Sequence, residues 1–245
     1  MNTETTLYQL EHQLKLKGMA NKMKSIIELP SQQRPSFEIL MAEMVEDEIQ
    51  YKKDVKTAKL LKASKLRYKT PLVEITCSEE RNLKHSTVTE LASCDFIMRG
   101  QNVLITGKAG CGKTWLSCAL GRQACLLGYK VKFYNMLTLS EEIAAANITG
   151  TYLRYIERLM RFDLIILDDF GLKKIDENSR LAIYQLLDGN KENYRISIII
   201  TSQLPFNNWY DYLTPGSQTE SILDRLFNNA TRIELEGKSL RKSKK

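Results

Sequence analysis

Gly107-Lys108-Ala109-Gly110-Cys111-Gly112-Lys113-Thr114 is the stretch that decides the fold. It fits the pattern G-x-x-x-x-G-K-[ST], which is typical of a loop that surrounds phosphate groups. The apolar run 102–106 precedes the loop and predicts a buried strand. Residues from Lys113 to about Leu127 carry apolar side chains at helical spacing and predict a helix that ends before Gly128. Strand, loop and helix therefore follow one another in the order that this motif requires.

The residue types in this loop suit the binding of a nucleoside triphosphate. Its glycines allow backbone torsions in which successive N–H groups turn inward toward phosphate oxygens. The helix N-terminus adds a positive dipole end. We expect Lys113 to reach the β- and γ-phosphates and Thr114 to ligate Mg²⁺. A glycine turn that binds nothing is the alternative, and the flanking strand and helix favour nucleotide binding by all eight residues 107–114.

The composition is that of a chain with a substantial core and a basic surface. Of its 245 residues, 43% are hydrophobic and 27% are charged, and the net charge of +7 suits a polyanionic partner. The five cysteines include no C-x-x-C pair, so we expect reduced thiols. No apolar run has the length of a membrane span, and the first residues lack the features of a secretion signal. These observations predict a cytoplasmic protein.

The first part of the chain predicts a small all-α N-terminal domain, residues 1–70. Apolar residues between Leu7 and Ile27 recur at helical spacing and predict one or two short helices with a break at Gly18. A further helix is expected to begin near Ser36. Its exposed face would carry Glu46, Asp47 and Glu48. Its apolar face would carry Phe37, Leu40, Met41, Met44, Val45 and Ile49.

A basic run follows and is a candidate surface for nucleic acid. Its members are Lys52, Lys53, Lys56, Lys59, Lys62, Lys65, Arg67 and Lys69. Their spacing places most of them on one face of a predicted helix over residues 52–69, flanked by Tyr51 and Tyr68. Lysine and arginine on such a face bind backbone phosphates without reading sequence. The candidate DNA-binding residues are Lys52, Lys56, Lys59, Lys62, Lys65 and Arg67. A solvated helix face is an equally good interpretation of such a charge run.

Beyond a predicted connector, residues 71–98, strands and helices alternate over residues 99–237. Strands are predicted at 102–106, 130–134, 164–167, 196–200 and 232–235, with helices between them. This alternation indicates an α/β fold with a parallel five-stranded sheet flanked by helices. Ligands of such sheets bind at the carboxyl ends of the strands. Residues 238–245 predict a basic, mobile tail.

A second signature lies in Leu164-Ile165-Ile166-Leu167-Asp168-Asp169. A buried strand of this kind would deliver Asp168 to Mg²⁺, directly or through water. Asp169 would polarise the attacking water as a general base. Thr201, Ser202 and Gln203 end the next strand, where a polar side chain can hold that water or contact the γ-phosphate. A buried strand that ends in a turn-forming Asp pair is the alternative.

With these motifs in order, the chain resembles the AAA+ ATPases of the DnaC/IstB group, and within it the IstB-type helpers of bacterial insertion-sequence transposition. The resemblance covers most of the chain. The residues that carry it, besides the phosphate loop, are Leu14–Ala20, Leu167–Leu172, Thr201–Pro205 with Trp209, Asp224-Arg225-Leu226 and Gly237-Lys238-Ser239 with Arg241. The order of these motifs is more specific than any one of them.

The resemblance implies roles for individual residues and an AAA+ core. Arg225 matches the arginine finger, which acts on the ATP of a neighbouring subunit. Gln203, or the adjacent Ser202, would sense the γ-phosphate. The family's magnesium-binding and water-activating acids fall on Asp168 and Asp169, and since many relatives have Glu at the latter position, hydrolysis is expected to be slow or dependent on a partner. The resemblance assigns no lid-borne sensor arginine.

The resemblance also implies partners. Such helpers assemble as oligomers on duplex DNA when ATP is bound, with little sequence preference, and recruit the transposase to that target in the bacterial nucleoid. A helicase loader of the DnaC type, with a protein-binding N-terminal region, is the main alternative. A clamp that binds ATP without hydrolysing it is another. A GTPase is disfavoured because no N-K-x-D motif follows the loop, and a small-molecule kinase because no acceptor site is visible.

Overall fold

Residues 2–188 and 196–240 are described by a computed structural model, in which the chain forms two units, Met1–Lys59 and Leu60–Lys245. The boundary falls inside a helix, before the predicted domain limit at residue 70. Leu60, Leu61 and Leu66 pack on the core of the second unit, which explains why the boundary comes early. None of the described helices has the length and apolar character that crossing a lipid bilayer requires.

The first unit is helical. Helix α1, Thr3–Tyr8, continues as a π-helical turn over Gln9–Gln13 and is followed by α2, Lys17–Ile27. A 3₁₀ turn at Ser31–Gln33 leads to α3, Phe37–Ser64, which runs 28 residues and passes out of the first unit. The predicted helices near Ser36 and over the basic run are therefore one helix. It ends at Ser64, so the prediction that it reaches residue 69 is wrong.

Contact between α2 and α3 accounts for two further differences. The predicted break lies at residues 14–16 and not at Gly18, which is the second residue of α2. An added Cβ on Gly18 would stand 2.5 Å from the backbone oxygen of Asp47. Glu48 was expected on an exposed face but is only 5% exposed. Its carboxylate accepts hydrogen bonds from the backbone N–H groups of Gly18 (2.7 Å) and Met19 (3.2 Å). It thereby satisfies free donors at the N-terminus of α2.

The predicted apolar face of α3 is only partly covered in the described part of the chain. Met44 is buried. Exposed members of this face are Phe37, Met41, Val45 and Ile49. The helical period was predicted correctly, but the pattern alone does not reveal how much of a face meets a partner.

The second unit is built on a five-stranded parallel sheet, which confirms the predicted fold class. Its strands are β1 (Asn102–Gly107), β2 (Val131–Asn135), β3 (Leu164–Phe170), β4 (Ser197–Ser202) and β5 (Ala230–Leu235), in the order β2-β3-β4-β1-β5. Each strand begins close to its predicted position. Strands β1 and β3 are each buried on both faces of the sheet, as expected for strands that helices cover.

Helices connect and cover these strands. They are α4 (His85–Ala92), α5 (Asp95–Met98), α6 (Lys113–Leu126), α7 (Met136–Ile148), α8 (Tyr152–Leu159), α9 (Glu177–Asp188), α10 (Trp209–Tyr212) and α11 (Ser217–Phe227). Two apolar clusters lie on opposite faces of the sheet, since alternate residues of β3 such as Ile165 and Ile166 belong to different clusters. The predicted connector contains α4 and α5 together with 3₁₀ turns at Leu72–Glu74 and Glu79–Arg81.

Trp209 has a structural role in the second unit. It is fully buried, and its Nε1 donates to the backbone oxygen of Leu204 (3.0 Å). Its ring centroid lies 4.8 Å from that of Phe170, the last residue of β3. The Leu-Pro…Trp part of the sequence motif thus holds the chain that leaves β4 against the end of β3. All five cysteines are free, as expected.

Candidate nucleotide site

The phosphate loop joins β1 to α6, as the sequence predicts. At Gly107 the backbone has φ +147°, and an added Cβ would stand 2.3 Å from the backbone oxygen of Leu235. Only glycine allows this torsion and this approach to β5. Gly112 is also left-handed, with φ +97°, and precedes the first residue of α6, Lys113. The loop therefore ends at a helix N-terminus, where backbone N–H groups are available to an anion.

Lys113 bends back over this loop and is 7% exposed. Its Nζ donates hydrogen bonds to the backbone oxygens of Gly107 (2.7 Å) and Lys108 (2.9 Å). Cys111, which is 1% exposed, has its Sγ 4.0 Å from the same ammonium group. The positive charge of Lys113 thus lies inside the ring of backbone atoms formed by the loop. This is the place where the charge of a phosphate would have to be neutralised.

Asp168 joins the phosphate loop to the neighbouring strands. Its Oδ1 accepts hydrogen bonds from the hydroxyls of Thr114 (2.8 Å) and Thr201. Its Oδ2 is buried and receives no hydrogen bond from the described residues. Burial raises the pKa of this carboxyl above its ordinary value, although hydrogen bonds from Thr201 and Thr114 act in the opposite direction. A buried carboxylate oxygen without a donor is a strong acceptor for a cation.

These groups fit Mg²⁺. Magnesium prefers oxygen ligands and is commonly held by one or two carboxylates together with substrate phosphates and water. The Asp168 carboxylate and the Thr114 hydroxyl supply oxygen atoms that could ligate the metal beside the phosphate loop. The described residues contain no cluster of three or more His, Cys, Asp or Glu side chains, so a cage built wholly from such side chains is not present there.

Asp169 is held in an unusual backbone conformation at the end of β3. Its φ is +60°, and the pairing of β3 with β4 shifts register between Leu167 and Phe170. Its backbone N–H donates to the Thr201 hydroxyl (3.3 Å), and its carboxylate accepts a hydrogen bond from the Asn135 side chain (3.0 Å). Left-handed residues other than glycine are uncommon and collect at functional sites. The carboxylates of the two consecutive aspartates accordingly contact different residues, Thr114 and Thr201 for Asp168 and Asn135 for Asp169.

Asp169 lines a cavity of about 240 Å³. Lys173 and Lys174, from the turn after β3, line the same cavity, as does Glu141 of α7. Asp169 is therefore accessible, whereas Asp168 is completely buried. This difference suits the predicted division between a general base and a metal ligand.

Of the two candidate sensors of the γ-phosphate, only Gln203 is exposed. Its side chain is exposed and lines a cavity of about 420 Å³ with Gly107 and Lys108. The Ser202 hydroxyl is buried, donates to the backbone oxygen of Phe170 (2.5 Å) and accepts from the backbone N–H of Leu204 (2.9 Å). Ser202 is thus engaged in joining β4 to β3, and Gln203 keeps the role of candidate.

Arg225, the candidate arginine finger, lies on α11 and is 20% exposed. Its guanidinium donates to the Asp188 carboxylate (2.8 Å) and to Ser221. It also lies 5.0 Å from the ring centroid of Tyr184. These contacts hold the guanidinium in one orientation at the surface of its own chain. Action on a neighbour's nucleotide remains a prediction.

Segments from both sides of the second unit brace the phosphate loop. Arg81 donates through Nη2 to the backbone oxygen of Cys111 (3.0 Å). The backbone N–H of Leu240 donates to the backbone oxygen of Gly110 (2.9 Å). An added Cβ on Gly110 would meet the Ser239 side chain. The first residues of the predicted mobile tail are thus in contact with the loop. Residues 241–245, which include Arg241, lie outside the described residues.

The six candidate DNA-binding residues separate into groups. Lys52, Lys56 and Lys59 line a groove of about 660 Å³ in the first unit. Lys62 lies further along α3, and Lys65 follows the helix end with φ +56°. The predicted helix face can therefore include only Lys52, Lys56, Lys59 and Lys62 of these six residues, because Lys65 and Arg67 follow the end of α3. Arg67 is the clearest exception, because its guanidinium Nη1 lies 3.8 Å from Oδ2 of Asp168 at the nucleotide site.

Sequence reasoning missed three residues that contact candidate site residues. Asn135 could have been suspected, since it directly follows a predicted strand at the sheet edge that binds ligands. Arg81 and Asp188 gave no local signal, because each acts on a residue far along the chain, Cys111 and Arg225 respectively.

Comparisons with known proteins identify a family for this chain. The family of IstB-like ATP binding proteins matches residues 9–245. The ATP-binding protein of insertion sequence IS1162 from Pseudomonas fluorescens is 36% identical over 84% of this chain and 88% of its own length. The insertion sequence ATP-binding protein y4pL from Sinorhizobium fredii is 34% identical, over 94% of this chain and 93% of its own length.

Solved structures share the fold at low identity. The DnaC helicase loader has a TM-score of 0.55 and 16% identity, over 69% of this chain and 98% of that one. AMPPCP-bound DnaA from Aquifex aeolicus has a TM-score of 0.57 and 20% identity, over 70% of this chain and 51% of that one. These neighbours are AAA+ proteins, which agrees with the phosphate loop and sheet order described above. The chain belongs to the family of IstB-like ATP binding proteins.

Proposed function

We propose that this chain hydrolyses ATP with Mg²⁺ and that, with ATP bound, it assembles on duplex DNA and recruits a transposase. The observation that carries the proposal is the meeting of Thr114, Asp168 and Asp169 at the carboxyl edge of the sheet, with 2.8 Å between the Thr114 hydroxyl and Asp168. The names of the relatives, ATP-binding proteins of insertion sequences, support the context of transposition. The protein would act in the bacterial cytoplasm, on nucleoid DNA.

Each residue has a distinct task in this mechanism. The backbone N–H groups of residues 107–114 and the ammonium group of Lys113 bind the phosphates. Asp168 and Thr114 would hold Mg²⁺, which when bound neutralises charge on the phosphate oxygens. Asp169 orients the attacking water and takes its proton, while Gln203 contacts the γ-phosphate. Arg225 of a neighbouring subunit neutralises charge that develops on the transferred group.

Hydrolysis is tested by measuring phosphate release with Mg²⁺, with and without duplex DNA. We expect slow release that DNA stimulates, and loss of release in Asp169→Asn, which keeps the shape of the side chain but cannot accept the proton. ATP binding should survive this change, since Asp169 lies at the end of β3 and not in the phosphate loop. If DNA and transposase together stimulate no release from the wild type, the protein is an ATP-dependent clamp that does not hydrolyse.

The first unit supports the DNA-binding part of the proposal. The groove described above is lined by Lys15 and Lys17 as well as by Lys52, Lys56 and Lys59. Glu11, His12, Tyr51 and Val55 complete its lining. A single carboxylate among five lysines leaves the groove positive, which suits the phosphates of a nucleic acid backbone.

Charge reversal in this groove tests its role. In Lys56→Glu/Lys59→Glu we expect weaker duplex binding. The slope of log binding constant against log salt concentration should also become shallower by about one to two, because each lost phosphate contact reduces its magnitude by about 0.9. The control is Lys24→Glu/Lys53→Glu, which makes the same change of charge at exposed positions outside the groove. Equal DNA affinities of the two variants would exclude the groove as the DNA-binding surface. Capture of a replicative helicase instead of a transposase would favour a helicase loader.

A further inference from the structure

The segment that follows α3 runs along the helix of the phosphate loop. Leu66 packs on Gly121 of α6, where an added Cβ would stand 2.9 Å from the Leu66 Cδ2. Tyr68 contacts Trp115 near the start of α6, with ring centroids 5.0 Å apart. The segment thus approaches Thr114 and brings Arg67, which lies between these two contacts, to the edge of the nucleotide site.

At this edge Arg67 faces Asp168. The guanidinium Nη1 lies 3.8 Å from Oδ2, the carboxylate oxygen that receives no hydrogen bond from the described residues. The Asp168 side chain is completely buried, whereas that of Arg67 is 51% exposed. The Arg67 guanidinium also lies 5.6 Å from the ring centroid of Tyr68. Arg67 is therefore an adjustable cation beside a fixed anion, and that anion is the proposed metal ligand.

The charge of Arg67 has opposite effects on the two components of a magnesium nucleotide. A cation beside Asp168 repels Mg²⁺ and offers the same carboxylate oxygen a competing partner. The same cation attracts the phosphates of the nucleotide. Exposure of the guanidinium weakens both effects without changing their signs.

We propose that Arg67 is a positioning residue of the nucleotide site, which competes with Mg²⁺ for the free oxygen of Asp168 and couples the position of residues 65–70 to the binding of the magnesium nucleotide. The inference rests on the proposed role of Asp168 in holding Mg²⁺. It reassigns Arg67 from the DNA-binding surface to the nucleotide site. Because residues 65–70 directly follow α3, Mg²⁺ binding at Asp168 would be transmitted to the end of that helix.

The test is the Mg²⁺ dependence of nucleotide affinity. The Kd of a fluorescent, non-hydrolysable ATP analogue is measured with Mg²⁺ and with EDTA, and the ratio of the EDTA value to the Mg²⁺ value is compared between variants. In Arg67→Gln the ratio should rise about three- to tenfold. The loss of the charge weakens nucleotide binding in EDTA, and it removes the repulsion of Mg²⁺ when the metal is present. Arg67→Lys keeps the charge and should stay within about twofold of the wild type. Lys69→Gln removes one charge from the same segment and should leave the ratio unchanged.

A second readout uses Trp115. Trp209 is fully buried, so iodide quenches mainly Trp115, which is 38% exposed and touches Tyr68. Addition of Mg²⁺ to the nucleotide complex should change this quenching in the wild type and should change it less in Arg67→Gln. Circular dichroism and Tm establish that the variants are folded.

The outcomes separate the two proposals. Equal ratios in Arg67→Gln and Lys69→Gln, with a wild type that depends on Mg²⁺, overturn the inference alone. A loss of DNA affinity in Arg67→Gln with an unchanged ratio returns Arg67 to the DNA-binding surface and also overturns it. A wild type whose nucleotide affinity does not depend on Mg²⁺ overturns the metal assignment and this inference with it.

Discussion

The side-chain amide of Asn135 donates a hydrogen bond to the carboxylate of Asp169, with 3.0 Å between the two atoms. The other end of the same side chain caps α7, because its Oδ1 accepts from the backbone N–H of Leu137 (3.0 Å). The cap fixes which end of the amide faces Asp169. One residue at the end of β2 therefore begins a helix and orients the predicted general base.

Replacement of Asn135 separates these two roles. Asn135→Ser keeps a capping oxygen but is too short to reach Asp169, so we expect a normal Tm and a rate of ATP hydrolysis reduced about tenfold by misorientation of the base. Asn135→Ala should show the same rate and lose a further ~1 kcal/mol of stability with the cap. Phosphate release and thermal unfolding provide the measurements. An Asn135→Ser protein with an unchanged rate would show that the contact with Asp169 does not matter.

The Thr114 hydroxyl is predicted to act on Mg²⁺ and not on the fold. Thr114→Val removes the hydroxyl at almost constant shape and should abolish most of the gain in nucleotide affinity that Mg²⁺ provides. Thr114→Ser keeps the hydroxyl and serves as the control. Titration of the nucleotide at several Mg²⁺ concentrations measures the effect. Equal Mg²⁺ dependence in both variants would remove Thr114 from the metal site.

Arg225 is predicted to act on the nucleotide of another subunit. Lys113→Ala should prevent ATP binding, whereas Arg225→Ala should bind ATP normally and hydrolyse it about 10³-fold more slowly. Mixed subunits form some interfaces in which an intact phosphate loop meets an intact Arg225. The mixture should therefore regain phosphate release that neither variant has alone. A mixture as inactive as its components would place the action of Arg225 within its own subunit.

The stability of the protein should reflect the burial of Asp168. Burial raises the pKa of this carboxyl, so the folded chain holds its proton more tightly than the unfolded chain. The resulting stabilisation is complete below the ordinary pKa of aspartate and is lost as the pH rises through the raised folded value. Above the folded pKa the ionised group therefore destabilises the fold, and in that range Asp168→Asn should raise Tm by roughly 2–4 °C without Mg²⁺ and nucleotide.

Two comparisons check that explanation of Asp168→Asn. The difference in Tm from the wild type should shrink as the pH falls through the folded pKa, and it should reverse when Mg²⁺ and nucleotide stabilise only the wild type. A difference that is the same at every pH would point to a change in packing.

Local patterns were sufficient to predict the sheet and the phosphate loop. The Lys113 and Thr114 positions follow from a motif in which every residue is a near neighbour in sequence, and the apolar run before Asp168 is typical of an inner strand of a parallel sheet. The N-terminal cap of α9 is equally local, since Asp176 accepts from the nearby backbone N–H of Ser179 (2.9 Å).

Contacts between distant segments could not be predicted in this way. Charge periodicity placed Arg67 with the lysines of α3, but the helix ends at Ser64 and Arg67 follows the surface of α6 instead. Gly18 was interpreted as a helix break because glycine is unfavourable in helices, whereas here it allows close packing against Asp47. In each case the partner lies in another helix, and one sequence does not reveal which surfaces meet.

Binding of duplex DNA in different nucleotide states tests the central claim most directly. Filter binding and electron microscopy on DNA of random sequence would be carried out with ATP, with ADP, and with Lys113→Ala in ATP. We expect ordered particles of many subunits on the DNA with ATP only, and none with ADP or with Lys113→Ala. Binding of DNA that is equally strong in all three conditions, or absent from all of them, would contradict an ATP-gated assembly on target DNA.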